Sequence, residues 1–138
     1  MDFGISKEIS ADITQDKINM LTDISLAMEE YFKDKDYGAD ISSLTIGIIC
    51  VAPEFEFFFN EIRRKYTKTK KMLEYDIKLD HSEFKNFDKK QIQLMVAKEI
   101  LASLSVINEL KIKNFEINNF KTDLRQFFKE RINIDLTI

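Results

Sequence analysis

MLEYDIKLDHSEFKNFDKKQIQLMVAKEILASLSVINEL, residues 72–110, decides how this chain folds, because its hydrophobic period changes part-way along. Leu73, Tyr75, Ile77 and Leu79 alternate with Glu74, Asp76, Lys78 and Asp80, the two-residue period of a strand with one buried and one wet face. Farther on, Ile92, Met95, Val96, Ile100, Leu104 and Ile107 recur at steps of three and four, which lines them along one side of a helix. The helix start is also written out. Asp88 and Gln91 have the spacing of a capping box, and Phe87 and Ile92 stand where a hydrophobic staple closes. An apolar helix stripe needs an apolar surface to cover, and the strand's inner row is close by in sequence.

Working toward the N-terminus, residues 55–66 (FEFFFNEIRRKY) fit two periods. Phe55, Phe58, Ile62 and Tyr66 align on a helix, whereas Phe58, Asn60, Ile62, Arg64 and Tyr66 share one face of a strand. The strand is favoured, since a polar turn at 67–71 then joins it to residues 72–80 as a hairpin. Before it, the β-branched run LTIGIICV at 44–51 is expected to form a central strand buried on both faces and ended by Pro53. Asp12 and Gln15 have capping-box spacing for a first helix carrying Ile18, Leu21, Ile24, Met28, Tyr31 and Phe32, ending near Lys35, with Gly38 as its stop. Phe3, Ile5 and Ile9 predict a first strand over 2–9. Toward the C-terminus, Asn118 or Asn119 caps a third helix with Phe120, Leu124, Phe127 and Phe128. Alternation of Ile132, Ile134, Leu136 and Ile138 with polar residues suggests a last strand at a sheet edge. The expected fold is α+β, an antiparallel sheet of four to five strands covered by two or three helices, in the order β-α-β-β-β-α-α with an optional final β. Residues 1–138 are expected to form a single domain, a size that closes one core without staples.

No apolar run approaches the roughly 18 residues that span a bilayer, and the opening MDFGISKEIS lacks the basic start and apolar middle of a signal peptide. A cytoplasmic protein without membrane contact is expected. The single cysteine, Cys50, lies in the apolar run and reads as a buried thiol. Charge is lopsided: residues 1–60 carry twelve acids and four bases, net −8, and residues 61–138 carry twelve acids and seventeen bases, net +5, giving −3 in all. Such asymmetry within one domain suggests a charged binding face.

Catalysis normally leaves acid, base and nucleophile types together, and here few are found. His81 is the only histidine and sits in a turn-like Asp80-His81-Ser82 context. Gly4, Gly38 and Gly47 are isolated, so no phosphate-binding loop is present, and no cofactor or metal is expected. Glu74, Asp76 and Lys78 form the most enzyme-like fragment, resembling the acid-x-lysine signature of metal-dependent nucleases, with Asp40 as the only placed upstream acid. A half-exposed strand carries such alternating charge without any catalytic need. Six bases, Arg63, Arg64, Lys65, Lys68, Lys70 and Lys71, surround Tyr66 and offer an alternative reading as a nucleic-acid-binding module. A solvated hairpin tip explains them equally, and the acidic chain as a whole repels a polyanion. The remaining feature is acidic: Glu29, Glu30, Asp34, Asp36 and Asp40, with Tyr31 and Tyr37 interleaved, have the composition of a patch that steers a basic protein and anchors it by aromatic area.

Several landmarks fall in a familiar order: Glu8-Ile9-Ser10-Ala11-Asp12, Tyr37-Gly38 before an apolar strand, Tyr66-Thr67-Lys68, and Tyr75-Asp76-Ile77-Lys78-Leu79-Asp80-His81 with Phe84 close behind. Ser103-Leu104 and Asp123-Leu124 follow in the later helices. In order and spacing the chain resembles a family of small bacterial immunity proteins that accompany polymorphic or contact-dependent toxins. The resemblance implies a non-enzymatic cytoplasmic protein whose partner is one cognate toxin domain. It supplies no contact motif to match by position, so the seven residues of the acidic patch are the candidate toxin-binding residues on composition alone. A basic nuclease toxin would complement them.

Overall fold

The computed structural model describes residues 1–59 and 61–136. Strand β1 (Asp2–Ile9) leads into helix α1 (Gln15–Phe32), followed by β2 (Ser43–Cys50), a 3-10 helix (Pro53–Phe59), β3 (Arg64–Thr67) and β4 (Met72–Lys78). The one-turn helix α2 (His81–Phe84), α3 (Lys89–Glu109), α4 (Ile117–Phe127) and a π-helical turn (Phe128–Ile132) complete it. The fold is α+β, with the four strands in the order β1-β2-β4-β3.

Strand direction departs from the expectation of an antiparallel sheet. β1 pairs with β2, and β2 with β4, in parallel; only the β3–β4 hairpin is antiparallel. Alternation cannot distinguish the two directions, because side chains change face every residue in both. The connections can: an 18-residue helix between β1 and β2 returns the chain to the starting end of the sheet, as a parallel neighbour requires.

One face of the sheet carries Phe3, Leu44, Ile46, Ile48, Leu73, Tyr75 and Ile77, and α1, α3 and α4 cover it with Leu21, Met28, Phe32, Ile92, Val96, Ile100, Phe120, Leu124 and Phe127 in one buried cluster. Aromatic rings fill its centre, with Phe32 within 5.2–6.4 Å of Phe3, Tyr37, Phe120 and Phe127, centroid to centroid. Edge-to-face and tilted pairs of this kind add attraction beyond their buried area.

The entry to α3 is as expected: Asp88 accepts from the Gln91 amide at 2.8 Å, and the Gln91 side chain accepts from the Asp88 amide at 2.8 Å. That of α1 is not. Thr14 stands at its N-cap without a side-chain bond, and Asp12 is engaged by His81 instead. α4 starts after Glu116, not after either asparagine. Asn60 lies outside the described residues, and the segments on either side of it, 55–59 and 61–66, divide. Phe55, Phe57 and Phe58 belong to the 3-10 helix, and only 64–67 form the hairpin strand. The expected last strand is replaced by the π-helical turn, which Asn133 ends in a left-handed conformation (φ 63°) so that Ile134 folds back into a buried position. Thr137 and Ile138 lie outside the described residues.

Candidate functional site

The nuclease-like fragment is locked into a structural role. Asp76 is only 6% exposed, and its Oδ2 receives Arg63 Nε at 3.0 Å and the Arg63 amide at 3.3 Å. Arg63 also reaches Glu74 at 2.9 Å, and Lys78 lies 4.0 Å from Glu56. The bond to Asp76, followed by the fields of Asp76 and Glu74, raises the Arg63 pKa still further, so this is a fixed cation between two carboxylates. Asp40 is elsewhere, accepting from the Asn114 amide at 3.0 Å. Among the described residues no group of three His, Cys, Asp or Glu side chains is placed to hold a metal.

His81 opens α2, and its Nε2 lies 2.9 Å from Asp12, joining the segment after β1 to the one after β4. The contact holds the Asp12 carboxyl below the usual range. Asp80 caps the same short helix, accepting from the Ser82 hydroxyl and from the amides of Ser82 and Glu83, and these bonds, the hydroxyl's first, lower its pKa too. Cys50 is fully buried. Loss of solvation, reinforced by the fields of Asp12 and Asp80, pushes its thiol up to about 11.

The basic segment is likewise divided. Arg63 belongs to the Asp76 pair; Arg64 stands over the Tyr75 ring at 5.4 Å and 3.8 Å from Glu109. The Tyr66 hydroxyl bonds the Asp40 carbonyl, so its ring is tied to the neighbouring loop. Lys65 is exposed within β3, and Lys68, Lys70 and Lys71 remain at the exposed hairpin tip.

The acidic patch is distributed over several environments. Tyr37 is 2% exposed, its hydroxyl donating to Asp123 at 2.6 Å. Burial and that bond hold its phenol far above the ordinary range, so the residue is part of the core. Asp36 accepts from the Gly38 amide at 2.9 Å, and Asp40 ties down Asn114, so both shape the loop after α1. Tyr31 is half-buried against Phe127 with Lys35 and Arg131 over its ring, and Glu30 is 3.9 Å from Arg131. Asp34 is exposed. Glu29 alone turns toward the sheet, where it borders a hollow of about 390 Å³ with Asp2, Gly4, Ser6 and Thr45.

That hollow lies on the sheet face opposite the helices, a surface the sequence reading missed. A second hollow of about 270 Å³ continues it past Ser6 to Glu8, Gly47, Phe58, Glu61, Arg63 and Asp76. The signal was present: Gly4, Ser6, Ser43, Thr45 and Gly47 are small and occupy alternate positions of β1 and β2. Beside this face the 3-10 helix exposes Phe55, Phe57 and Phe58 at 49%, 65% and 66%.

A family model for immunity protein 44 matches residues 1–130. The chain belongs to the immunity protein 44 family. No curated protein and no solved structure matches it. For this immunity protein the surface, with its acidic hollows and exposed phenylalanines, is the natural place to look for function. None of the described helices is long and apolar enough to cross a membrane.

Proposed function

We propose that this immunity protein binds one cognate toxin domain by direct protein–protein contact and neutralises it stoichiometrically, without turnover, in the bacterial cytoplasm. The observation that carries the reading is the family match over residues 1–130. Two features support it: the carboxylates of the enzyme-like fragment are engaged by Arg63, and the surface combines acidic residues with exposed aromatic area, the mixture that steers and then anchors a protein partner. A cationic toxin, such as a nuclease with a basic active site, complements it in charge.

Co-expression with the toxin encoded beside it should restore growth of a poisoned bacterial host, and the two proteins should co-purify. Titrating purified immunity protein into the toxin assay should abolish toxin activity at equimolar ratio, because binding acts by mass balance. Undiminished toxicity with no complex on size-exclusion chromatography rejects the reading.

A further inference from the structure

The geometry points to the helix-free face of the sheet as the docking surface, and to a cationic toxin face with an apolar depression as its occupant. This rests on the toxin-binding reading and adds where the partner sits. Parallel sheets are nearly always covered on both faces, because their crossover connections lay helices there. Here β1, β2 and β4 run parallel, yet the α-helices pack their apolar sides on one face only, and α1 reaches the other just at the β1 margin, with Glu29. The open face is paved with short side chains, and its two hollows meet at Ser6. Partner side chains can therefore reach close to the sheet backbone.

Charge identifies the partner. The charged residues bordering the two hollows are Asp2, Glu8, Glu29, Glu61 and Asp76 against Arg63 alone. Arg63 is already committed to Asp76 and Glu74, whereas Asp2, Glu8, Glu29 and Glu61 make no ion pair among the described residues. A partner bringing cations to this face meets unspent negative charge, and an anionic one is repelled. Next to the second hollow stand Phe57 and Phe58, their ring centroids 4.0 Å apart and both mostly in solvent. Folding gains little from leaving two such rings exposed, but an interface gains much from burying them.

The test uses the full chain and the purified, catalytically inactivated product of the adjacent toxin gene, with binding followed by biolayer interferometry. Ser6→Arg, which places bulk and positive charge where the hollows meet, should weaken binding about 100-fold, and Phe57→Ser with Phe58→Ser about 30-fold, the scale of interface hot spots. Glu8→Lys with Glu29→Lys should slow association and flatten its dependence on salt. Asp34→Lys, on the acidic patch but away from this face, should change the affinity less than about 3-fold, as rim charges do. Circular dichroism and thermal melting confirm that each variant is folded; the six substituted positions are all exposed. Wild-type affinity in the first three variants, with loss in Asp34→Lys, overturns this surface and leaves toxin binding standing. Failure of the wild-type chain to bind overturns both. A wild-type dimer in sedimentation velocity that Ser6→Arg dissociates assigns the face to a second copy of this chain, and also overturns the proposal.

Discussion

At the scale of single residues, Gly47 and Asp76 have to be read together. They are partners in register on adjacent parallel strands, and a methyl group at Gly47 would come within 2.1 Å of Asp76 Oδ1. Elsewhere a carboxylate rotates aside, but this one is held by the Arg63 side chain and amide. Gly47→Ala should therefore break the Asp76–Arg63 contact and destabilise the protein by about 1–3 kcal/mol, the usual cost of overpacking, seen as a lower midpoint in urea. Cys50 yields a second expectation. With its thiol at about 11, the thiolate fraction at pH 8 is about one in a thousand. Iodoacetamide should leave the native protein unmodified and label it in urea; rapid native labelling would contradict the burial. The sequence indicated Cys50 by its apolar neighbours. It gave no comparable sign for Asp76, because strand charges look alike whether they face water or an arginine brought by a hairpin partner.

At the scale of elements, the parts that could be read in advance are those whose signals are local. The α3 cap is a contact between residues three apart, and Asp88→Ala should cost about 1 kcal/mol, measurable by thermal or urea denaturation. Strand β4 and the hairpin after β3 were legible for the same reason. What was not legible depended on distant partners. Asp12 had the right spacing to cap α1, but His81, 69 residues away, claims it. Residues 55–66 fit both a helical and a strand period, with the strand favoured, yet Phe55, Phe57 and Phe58 lie in the 3-10 helix that Pro53 opens. Tyr37 looked like a surface anchor until Phe32, Phe115 and Phe120 closed around it. Acid should act on the same joints. The Asp12 and Asp80 carboxyls are depressed in the folded state, by the His81 contact and by the Ser82 and Glu83 bonds respectively. Their contribution is therefore complete above the ordinary carboxylate pKa of about 4 and fades as pH falls through the lower folded values. In an NMR titration the Asp80 side-chain carboxyl carbon should hold steady from pH 7 to about 4 and move only below that. Movement centred above pH 5 would refute the cap.

At the scale of the whole molecule, the α+β class followed from the sequence of periods, while the direction of three strands and the bareness of one sheet face did not. The loop after α1 explains how the helical layer is fixed to the strands. Gly38 adopts φ +124°, and a side chain there would come within 2.2 Å of the Asn114 carbonyl, so two distant segments meet backbone to backbone. The Glu116 amide donates to the Tyr37 carbonyl at 2.6 Å across the same junction. The candidate surface thus stands on a braced scaffold, although the residues that form it are among the least conspicuous in the chain.

The two margins of the sheet carry a last implication. On one side the Ile5 amide of β1 donates to the Ser25 hydroxyl of α1 at 2.9 Å, so the helix occupies a bonding position that an incoming strand would need. On the other, β3 is only four residues long and carries the bases Arg64 and Lys65, with Lys68 just beyond it, which keep neighbouring chains from zipping onto it. Recognition by extending the sheet with a partner's strand, a common shortcut among small domains, is thereby discouraged at either border. Whatever this molecule holds, it has to hold by side chains and fit of form.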